Sequence, residues 1–313
     1  MIYLLLIPIS KGLYPLKKYC VIGTPVGHSK SPELFQRFIT EKGLRYGVDA
    51  VYLRYEIIDL EQLHSFVMKL KAGEWSGCNV TMPWKTEMVK YMDELSETAR
   101  LTGAVNTVSS KNGKLCGDST DGKGMLNAIK EDAGTDVNGK KVVMIGCGGA
   151  ARSILAEAIV RGASSIKIIC RDVKNLHRVR IEQHLDDIPE YINTLKDGSN
   201  LKLTLQILLR SDLSSTGVMF IDDSETALIG AALKGADILI NSTPLGMLDG
   251  RGNEEKLPLP ESCELPSTLI VADCVYNPDE TLLIKKAKES GCKTVKGIRM
   301  LEEQARCGVD ILL

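Results

Sequence analysis

The chain has 313 residues, of which 44% are hydrophobic and 25% charged, with a formal net charge of −1. This length suggests about two domains, and the balanced charge predicts neither a nucleic-acid-binding surface nor attraction to an anionic membrane. The nine cysteines lack C-x-x-C spacing and the four histidines share no metal spacing, so we expect reduced thiols, no metal site and a cytoplasmic protein. The apolar run 1–9 contains Pro8, is too short to span a bilayer and does not resemble a signal peptide.

The first 120 residues alternate short apolar strands with helical segments. Strands are predicted, in chain order, over 19–23, 50–57, 77–81, 104–109 and 114–117. The last two flank Asn112-Gly113, a pair typical of a hairpin turn. Helices are predicted to begin at Ser31 as cap before Pro32, at Asp59 with Gln62 as a capping box, and at about Lys85.

The second half repeats the alternation of strand and helix. Strands are predicted over 141–145, 165–170, 237–241 and 269–272, and helices over 153–161 and 282–287. This order predicts parallel sheets and an α/β fold in both halves. Two stretches, 178–228 and 249–266, are polar or rich in Pro and charge, and are expected to be irregular or surface connections.

A glycine-rich turn lies between the strand at 142–145 and the helix that follows it. Its sequence is Gly146-Cys147-Gly148-Gly149-Ala150-Ala151. Such a turn lets the backbone approach a pyrophosphate, which then meets the positive end of the helix dipole. Because the turn comes so late in the chain, a separate domain must precede it. The sequence therefore predicts a two-domain, dinucleotide-binding enzyme with a cleft between its domains.

Small polar residues gather at the predicted strand ends before this turn. They are Ser29, Ser31, Asn79, Thr81, Lys85, Asn106, Thr107, Ser119, Thr120 and Asp121. Side chains beyond the carboxyl ends of strands face the ligand crevice of an open α/β sheet. Hydroxyl and amide groups suit a polyhydroxylated small molecule, and one lysine with one aspartate suits proton transfer. Ser31 and Asp121 are also good helix caps, Asp121 for a helix over 122–130.

Eight motifs, in order along the chain, resemble those of the shikimate dehydrogenase family. They are GHSKSP at 27–32, NVTMPWK at 79–85, GAVNT at 103–107, STDG at 119–122, GCGGAAR at 146–152, NSTPLGM at 241–247, CVYNP at 274–278 and GIRMLEEQA at 297–305. The CVYNP form resembles especially the quinate/shikimate dehydrogenase branch. Trp84 and Ser119 depart from the residues usual in the family.

The resemblance implies a fold, a domain division and an activity. It implies an N-terminal α/β substrate domain, 1–121 plus 298–313, and a Rossmann domain, 122–297, with the C-terminal helix returning to the first domain. The implied activity is NAD(P)-dependent interconversion of 3-dehydroshikimate and shikimate, a step of chorismate and aromatic amino acid biosynthesis. A quinate-oxidising enzyme and a catalytically inactive dinucleotide-binding regulator remain alternatives, and a homodimer remains open.

The resemblance also implies roles for individual residues. Lys85 and Asp121 would be the catalytic pair. The residues that would contact substrate are Ser29, Ser31, Asn79, Thr81, Asn106, Asp121, Tyr276 and Gln304. The cofactor residues would be Gly146, Gly148, Gly149, Ala150, Arg152, Arg171, Asp172, Thr243, Met247 and Gly297.

Cofactor choice depends on the segment Cys170-Arg171-Asp172 at the end of the second Rossmann strand. Asp172 lies about twenty residues beyond the glycine-rich turn, where a carboxylate commonly accepts the ribose hydroxyls of NAD. Arg171 opposes this preference, since a guanidinium pairs with the 2′-phosphate of NADP. We therefore expect NAD, or both cofactors, and exclude strict NADP dependence.

Overall fold

The computed structural model describes residues 16–27, 29–171, 204, 217–248 and 252–313. Their backbone contacts divide the chain into two compact units, each with a six-stranded sheet. The first unit extends to Thr120 and also includes Ala305–Leu313, and the second is Asp121–Gln304.

The sheet of the first unit is mixed. Its strands are β1 (Lys17–Gly23), β2 (Ala50–Glu56), β3 (Gly77–Val80), β4 (Glu94–Leu95), β5 (Thr107–Lys111) and β6 (Lys114–Asp118), in the order β2-β1-β3-β5-β6-β4. Strands β1 to β3 are parallel, but β5 pairs antiparallel with both β3 and β6. The parallel pairing expected here is found for β1 to β3, whereas β5 of the predicted hairpin pairs antiparallel with both of its neighbours. The hairpin itself is confirmed, with positive φ angles of 54° at Asn112 and 77° at Gly113.

The helices of this unit are α1 (Ser31–Glu41), α2 (Leu60–Lys71) and α3 (Glu97–Thr102). The capping box is confirmed, since the Asp59 carboxylate accepts a hydrogen bond of 2.8 Å from the Gln62 amide. Ser31 is the first residue of α1, and α1 has no side-chain cap. The helix predicted from Lys85 is only a short 3₁₀ helix, Glu87–Tyr91, because the chain turns directly into β4.

The sheet of the second unit is wholly parallel. Its strands are β7 (Lys141–Ile145), β8 (Ser165–Cys170), β9 (Gly217–Asp222), β10 (Ile238–Asn241), β11 (Ile270–Asp273) and β12 (Lys293–Val295). Their order is β12-β11-β10-β7-β8-β9. Counted from β7, this is the 3-2-1-4-5-6 order of the Rossmann fold. The central strands β10 and β11 are buried at every residue, and β7 at every residue after Lys141, as expected when helices cover both faces of a sheet.

The described residues after β6 form five further helices: α4 (Thr120–Ala133), α5 (Gly149–Val160), α6 (Thr226–Lys234), α7 (Leu282–Glu289) and α8 (Gly297–Leu312). Asp121 lies within the first turn of α4 instead of capping it, because the helix already begins at Thr120. The predicted return of the C-terminal helix is confirmed: the Tyr19 hydroxyl donates to the Leu312 carbonyl at 2.9 Å. Across the described ranges, no helix combines the length and apolar character needed to cross a membrane.

Candidate functional site

A hydrogen-bonded chain in the first unit links β3 to the start of α4. The Asn79 amide nitrogen donates to the Thr107 hydroxyl at 2.9 Å and to the Asn106 carbonyl at 3.2 Å. The Asn106 side-chain oxygen accepts from the Thr107 hydroxyl at 3.1 Å and from the Thr120 amide at 2.8 Å. Asn106, Thr107 and Thr120 are buried, so this chain is a fixed part of the fold.

The same chain continues to the two serines before and at the start of α1. The Tyr52 hydroxyl, on β2, donates to the Asn79 side-chain oxygen at 2.6 Å and contacts the Ser31 hydroxyl. The Ser29 hydroxyl donates to that of Ser31 at 3.0 Å. These seven residues are called the polar network below: Ser29, Ser31, Tyr52, Asn79, Asn106, Thr107 and Thr120. Sequence reasoning missed Tyr52, which has no signal beyond being an aromatic residue in a strand.

Thr81 and Lys85 follow β3 at its carboxyl end. The Thr81 amide donates to the Ile22 carbonyl at 2.9 Å, which places Thr81 beside the end of β1. The half-buried Lys85 accepts a backbone bond of 2.8 Å from Val105, the residue before Asn106. Between them, Trp84 is buried and donates its indole N–H to the Ile57 carbonyl at 2.8 Å. Trp84 is therefore part of the hydrophobic core of this unit.

Helix α4, which carries Asp121, packs closely on α8, which carries Gln304. A Cβ atom at Gly124 would lie 2.6 Å from the Gln304 Cβ, so only glycine permits this approach. Gly124 is three residues beyond Asp121 and shares its side of the helix. Burial, together with the carboxylates of Asp273 and Asp121, raises the pKa of Cys274, which places Asp121 near the end of β11.

The glycine-rich turn lies where the strand order of the second sheet reverses, between β7 and β10. Gly146 has a φ of +100°, and a Cβ there would lie 2.9 Å from the methyl carbon of Thr243. Gly148 precedes α5, which has no side-chain cap and no acidic residue in its first turn. A Cβ at Gly148 would meet nothing within 4 Å. The amide groups of Gly149 and Ala150 thus begin a helix whose N-terminus suits a pyrophosphate group.

Positive charge surrounds this turn. The pKa of the Cys147 thiol is lowered, chiefly by a hydrogen bond with Cys170 and further by the guanidinium groups of Arg152 and Arg171. Burial lowers the pKa of Arg152, as it does for a cation removed from water. Both arginines therefore lie close enough to the turn to attract an anion. Asp172 lies outside the described residues.

Three further predicted residues lie around the ends of β10 and β11. The Leu248 amide donates to the Asn277 carbonyl at 2.8 Å. Met247 and Tyr276 are the residues that precede these two, so their backbones lie near each other. Tyr276 is 49% exposed. A Cβ at Gly297 would lie 2.5 Å from the Val275 carbonyl carbon, so the start of α8 packs directly on this loop.

No metal centre is formed by the described residues, in which no group of three or more His, Cys, Asp or Glu side chains is placed to hold an ion. All nine cysteines are described, and all are free thiols. Cys147 and Cys170 are among them and are not bridged.

Comparison with known proteins gives the family. Residues 21–108 match the model of the shikimate dehydrogenase substrate binding domain. A protein of Alkaliphilus oremlandii named shikimate dehydrogenase (NADP(+)) is 35% identical over 93% of this chain and 89% of its own length. The chain belongs to the shikimate dehydrogenase family. The predicted resemblance and the α/β fold with a Rossmann domain are thereby confirmed.

Solved structures of the family are similar along nearly the whole chain. Shikimate 5-dehydrogenase from Listeria monocytogenes, in complex with shikimate and NAD, has a TM-score of 0.78 at 32% identity and covers 95% of this chain and 91% of its own. Ligand-free 5-ketofructose reductase from Gluconobacter has a TM-score of 0.73 at 29% identity, with 96% and 94% covered. Since proteins named for different substrates share this shape, the fold alone does not select the substrate.

Proposed function

We propose that this protein is a shikimate dehydrogenase that interconverts 3-dehydroshikimate and shikimate with a nicotinamide dinucleotide. The observation that carries the proposal is the presence of both Lys85 and Asp121, within the family motifs NVTMPWK and STDG, in a chain 35% identical to a named shikimate dehydrogenase. An inactive regulator would not need this acid–base pair. The curated relatives in the comparison are named for shikimate, so quinate is the less favoured substrate.

In this proposal Lys85 and Asp121 act on the same substrate oxygen. Lys85 exchanges a proton with the reacting hydroxyl or stabilises the developing alkoxide, and Asp121 accepts a hydrogen bond from that hydroxyl and orients Lys85. The packing of Gly124 on α8 supports a place for Gln304 next to Asp121. Residues 1–121 with 298–313 would form the substrate domain and 122–297 the dinucleotide domain.

Substrate hydroxyl and carboxylate groups would be held by polar side chains. We assign them to Ser29, Ser31, Thr81, Asn106, Tyr276 and Gln304. Asn79 differs from these, because both of its amide hydrogens already donate to Thr107 and Asn106. We therefore propose that Asn79 mainly orients its neighbours, with only its side-chain oxygen able to accept from a substrate hydroxyl.

The dinucleotide would be held at the start of α5. The residues would be Gly146, Gly148, Gly149 and Ala150 at the pyrophosphate, Arg152 and Arg171 as cations, Asp172 at the ribose, and Thr243, Met247 and Gly297 toward the nicotinamide. When bound, the cofactor accepts or supplies the hydride of the redox step. The open space at Gly148 supports this assignment, since the helix N-terminus there has no cap of its own.

For the choice of cofactor we propose that NAD is used at least as well as NADP. The Alkaliphilus relative is named an NADP(+) enzyme, whereas the Listeria structure contains NAD, so family membership supports either cofactor. The carboxylate of Asp172 favours NAD and Arg171 favours the 2′-phosphate of NADP. We also propose a cytoplasmic location, since nine unbridged cysteines suit a reducing compartment.

The test is formation of reduced cofactor by the purified protein, with shikimate or quinate combined with NAD or NADP. We expect turnover with shikimate and a lower kcat/KM with quinate. Binding of cofactor without turnover of either substrate would contradict the proposal and identify a regulator. A higher kcat/KM with quinate would assign the protein to the alternative substrate.

A further inference from the structure

Tyr52 lies at the centre of the polar network, and we propose that it is a positioning residue for the reaction. The proposal rests on the proposed function, because it concerns how the substrate-binding side chains are held. Tyr52 is 2% exposed, and its ring packs against Phe35 with a centroid distance of 4.7 Å. Burial raises the pKa of Tyr52 well above its usual value, so the phenol remains a neutral hydrogen-bond donor.

The orientation of Asn79 is fixed by a backbone group. The Asn106 carbonyl only accepts hydrogen bonds, so the atom of Asn79 that faces it must be the amide nitrogen. The side-chain oxygen of Asn79 therefore points to the Tyr52 hydroxyl, 2.6 Å away, which must donate to it. Because a phenol has a single hydrogen, the Tyr52 hydroxyl has none left for a second acceptor.

A second backbone group fixes Asn106. The Thr120 N–H only donates, so the atom of Asn106 that faces it at 2.8 Å must be the side-chain oxygen. The Thr107 hydroxyl accepts a hydrogen bond from Asn79 and donates one to the same Asn106 oxygen. The amide nitrogen of Asn106 is thereby turned away from these donors. These contacts thus set the hydrogen-bond direction from Tyr52 through Asn79 and Thr107 to Asn106.

The Tyr52 hydroxyl therefore has a role in the polar network that is separate from the packing of the Tyr52 ring. It holds Ser31 on one side and Asn79 on the other, and through Asn79 and Thr107 it supports the orientation of Asn106. Removing the hydroxyl leaves the Asn79 oxygen without its donor, so the amide is held only by the two bonds that it donates. The orientation of the neighbouring substrate ligands is then less firmly held, while the dinucleotide residues, which belong to the other unit, do not change.

The experiment compares Tyr52→Phe with Tyr19→Phe. Tyr19 is the register partner of Tyr52 on β1, is fully buried, packs on the same Phe35 at 5.1 Å, and donates to the Leu312 carbonyl, outside the polar network. We expect Tyr52→Phe to raise the KM for shikimate roughly tenfold, equivalent to ~1.4 kcal/mol, with a smaller change in kcat and an unchanged KM for the dinucleotide. Tyr19→Phe should leave all three constants close to those of the wild type.

A second pair of variants repeats the test at Thr107, in case Tyr52→Phe does not fold. Thr107→Val removes the linking hydroxyl and should raise the KM for shikimate in the same way, whereas Thr107→Ser retains it and should restore the wild-type value. A Tyr52→Phe KM equal to that of Tyr19→Phe, or equal KM values for Thr107→Val and Thr107→Ser, would overturn the positioning role. A wild type without turnover of shikimate would instead overturn the proposed function, and the positioning role with it.

Discussion

At the scale of single residues, Lys85 has the most direct proposed role. Lys85→Ala should lower kcat by ~10²–10⁴-fold and change the KM for shikimate little, because general acid–base catalysis contributes about that factor. The control is Lys90→Ala, which removes an exposed lysine paired with Glu87 from the same segment. Steady-state kinetics measure both variants. A near-normal kcat for Lys85→Ala would remove this residue from the mechanism.

Asp172 tests the proposed choice of cofactor. A carboxylate ~4 Å from a 2′-phosphate costs about 4 kcal/mol per unit charge pair at an effective dielectric constant near 20, before screening. Asp172→Thr should therefore shift the ratio of kcat/KM values toward NADP by roughly tenfold or more. Asp136→Asn removes an exposed carboxylate paired with Lys130 and should leave the ratio unchanged. No shift in Asp172→Thr would mean that this side chain points away from the ribose.

Single residues also show what sequence can and cannot predict. Asp59 was predictable as a cap because its partner, Gln62, is three residues away. Ser31 has the residue type of a cap, but its hydroxyl contacts Tyr52 and Ser29, which only the folded sheet brings to it. Tyr52 itself was missed for the same reason. Its partner Asn79 is 27 residues away, and no local pattern joins the two.

At the scale of elements, a substitution at the start of α5 should change the stability of the protein and its binding of the dinucleotide in different directions. Gly148 occupies the cap position with extended backbone angles, φ −74° and ψ −165°, and open space around it. Gly148→Asp should supply a side-chain cap, and it should leave the midpoint of thermal unfolding equal or slightly higher. The added carboxylate should also exclude the pyrophosphate and weaken dinucleotide binding at least roughly tenfold.

The matched control is Gly230→Asp, at a glycine of α6 that also has no atom within 4 Å of its Cβ position. It adds the same charge to the same unit and should leave dinucleotide affinity unchanged. Thermal unfolding measures the change in stability, and calorimetric titration with the dinucleotide measures the change in affinity. Unchanged affinity in Gly148→Asp would mean that the cofactor does not lie at this helix.

Elements with strong local signals were predicted closely, and those defined by distant pairing were not. Strand β8 was predicted at its observed limits, Ser165–Cys170, because three of its six residues are isoleucines, which favour strands. Strand β4 has two residues and exists only through its pairing with β6, so no periodicity marks it. Strand β9 and helix α6 were not predicted. Strand β9 lies wholly within the stretch 178–228 and α6 begins in it, and the polar residues around them hide the periodicity of their apolar residues.

At the scale of the whole molecule, the position of the glycine-rich turn predicted that a separate domain precedes it. The reversal of strand order beside this turn could not be predicted, because it depends on β10 pairing with β7, nearly a hundred residues earlier in the chain. The mixed character of the first sheet was missed for a similar reason. The hairpin was predicted locally, but its antiparallel pairing with β3 is a long-range contact. The oligomeric state, for which a homodimer was left open, stays a prediction.

The most direct test of the central claim is to follow the transferred hydrogen itself. Reduced dinucleotide that carries deuterium at both hydrogen positions of the reactive nicotinamide carbon is incubated with 3-dehydroshikimate and the wild-type protein, and the product is analysed by mass spectrometry. The account predicts shikimate one mass unit heavier than the unlabelled compound, at a rate strongly reduced in Lys85→Ala. Consumption of neither reactant, or a product without deuterium, would contradict the claim that this protein is a shikimate dehydrogenase.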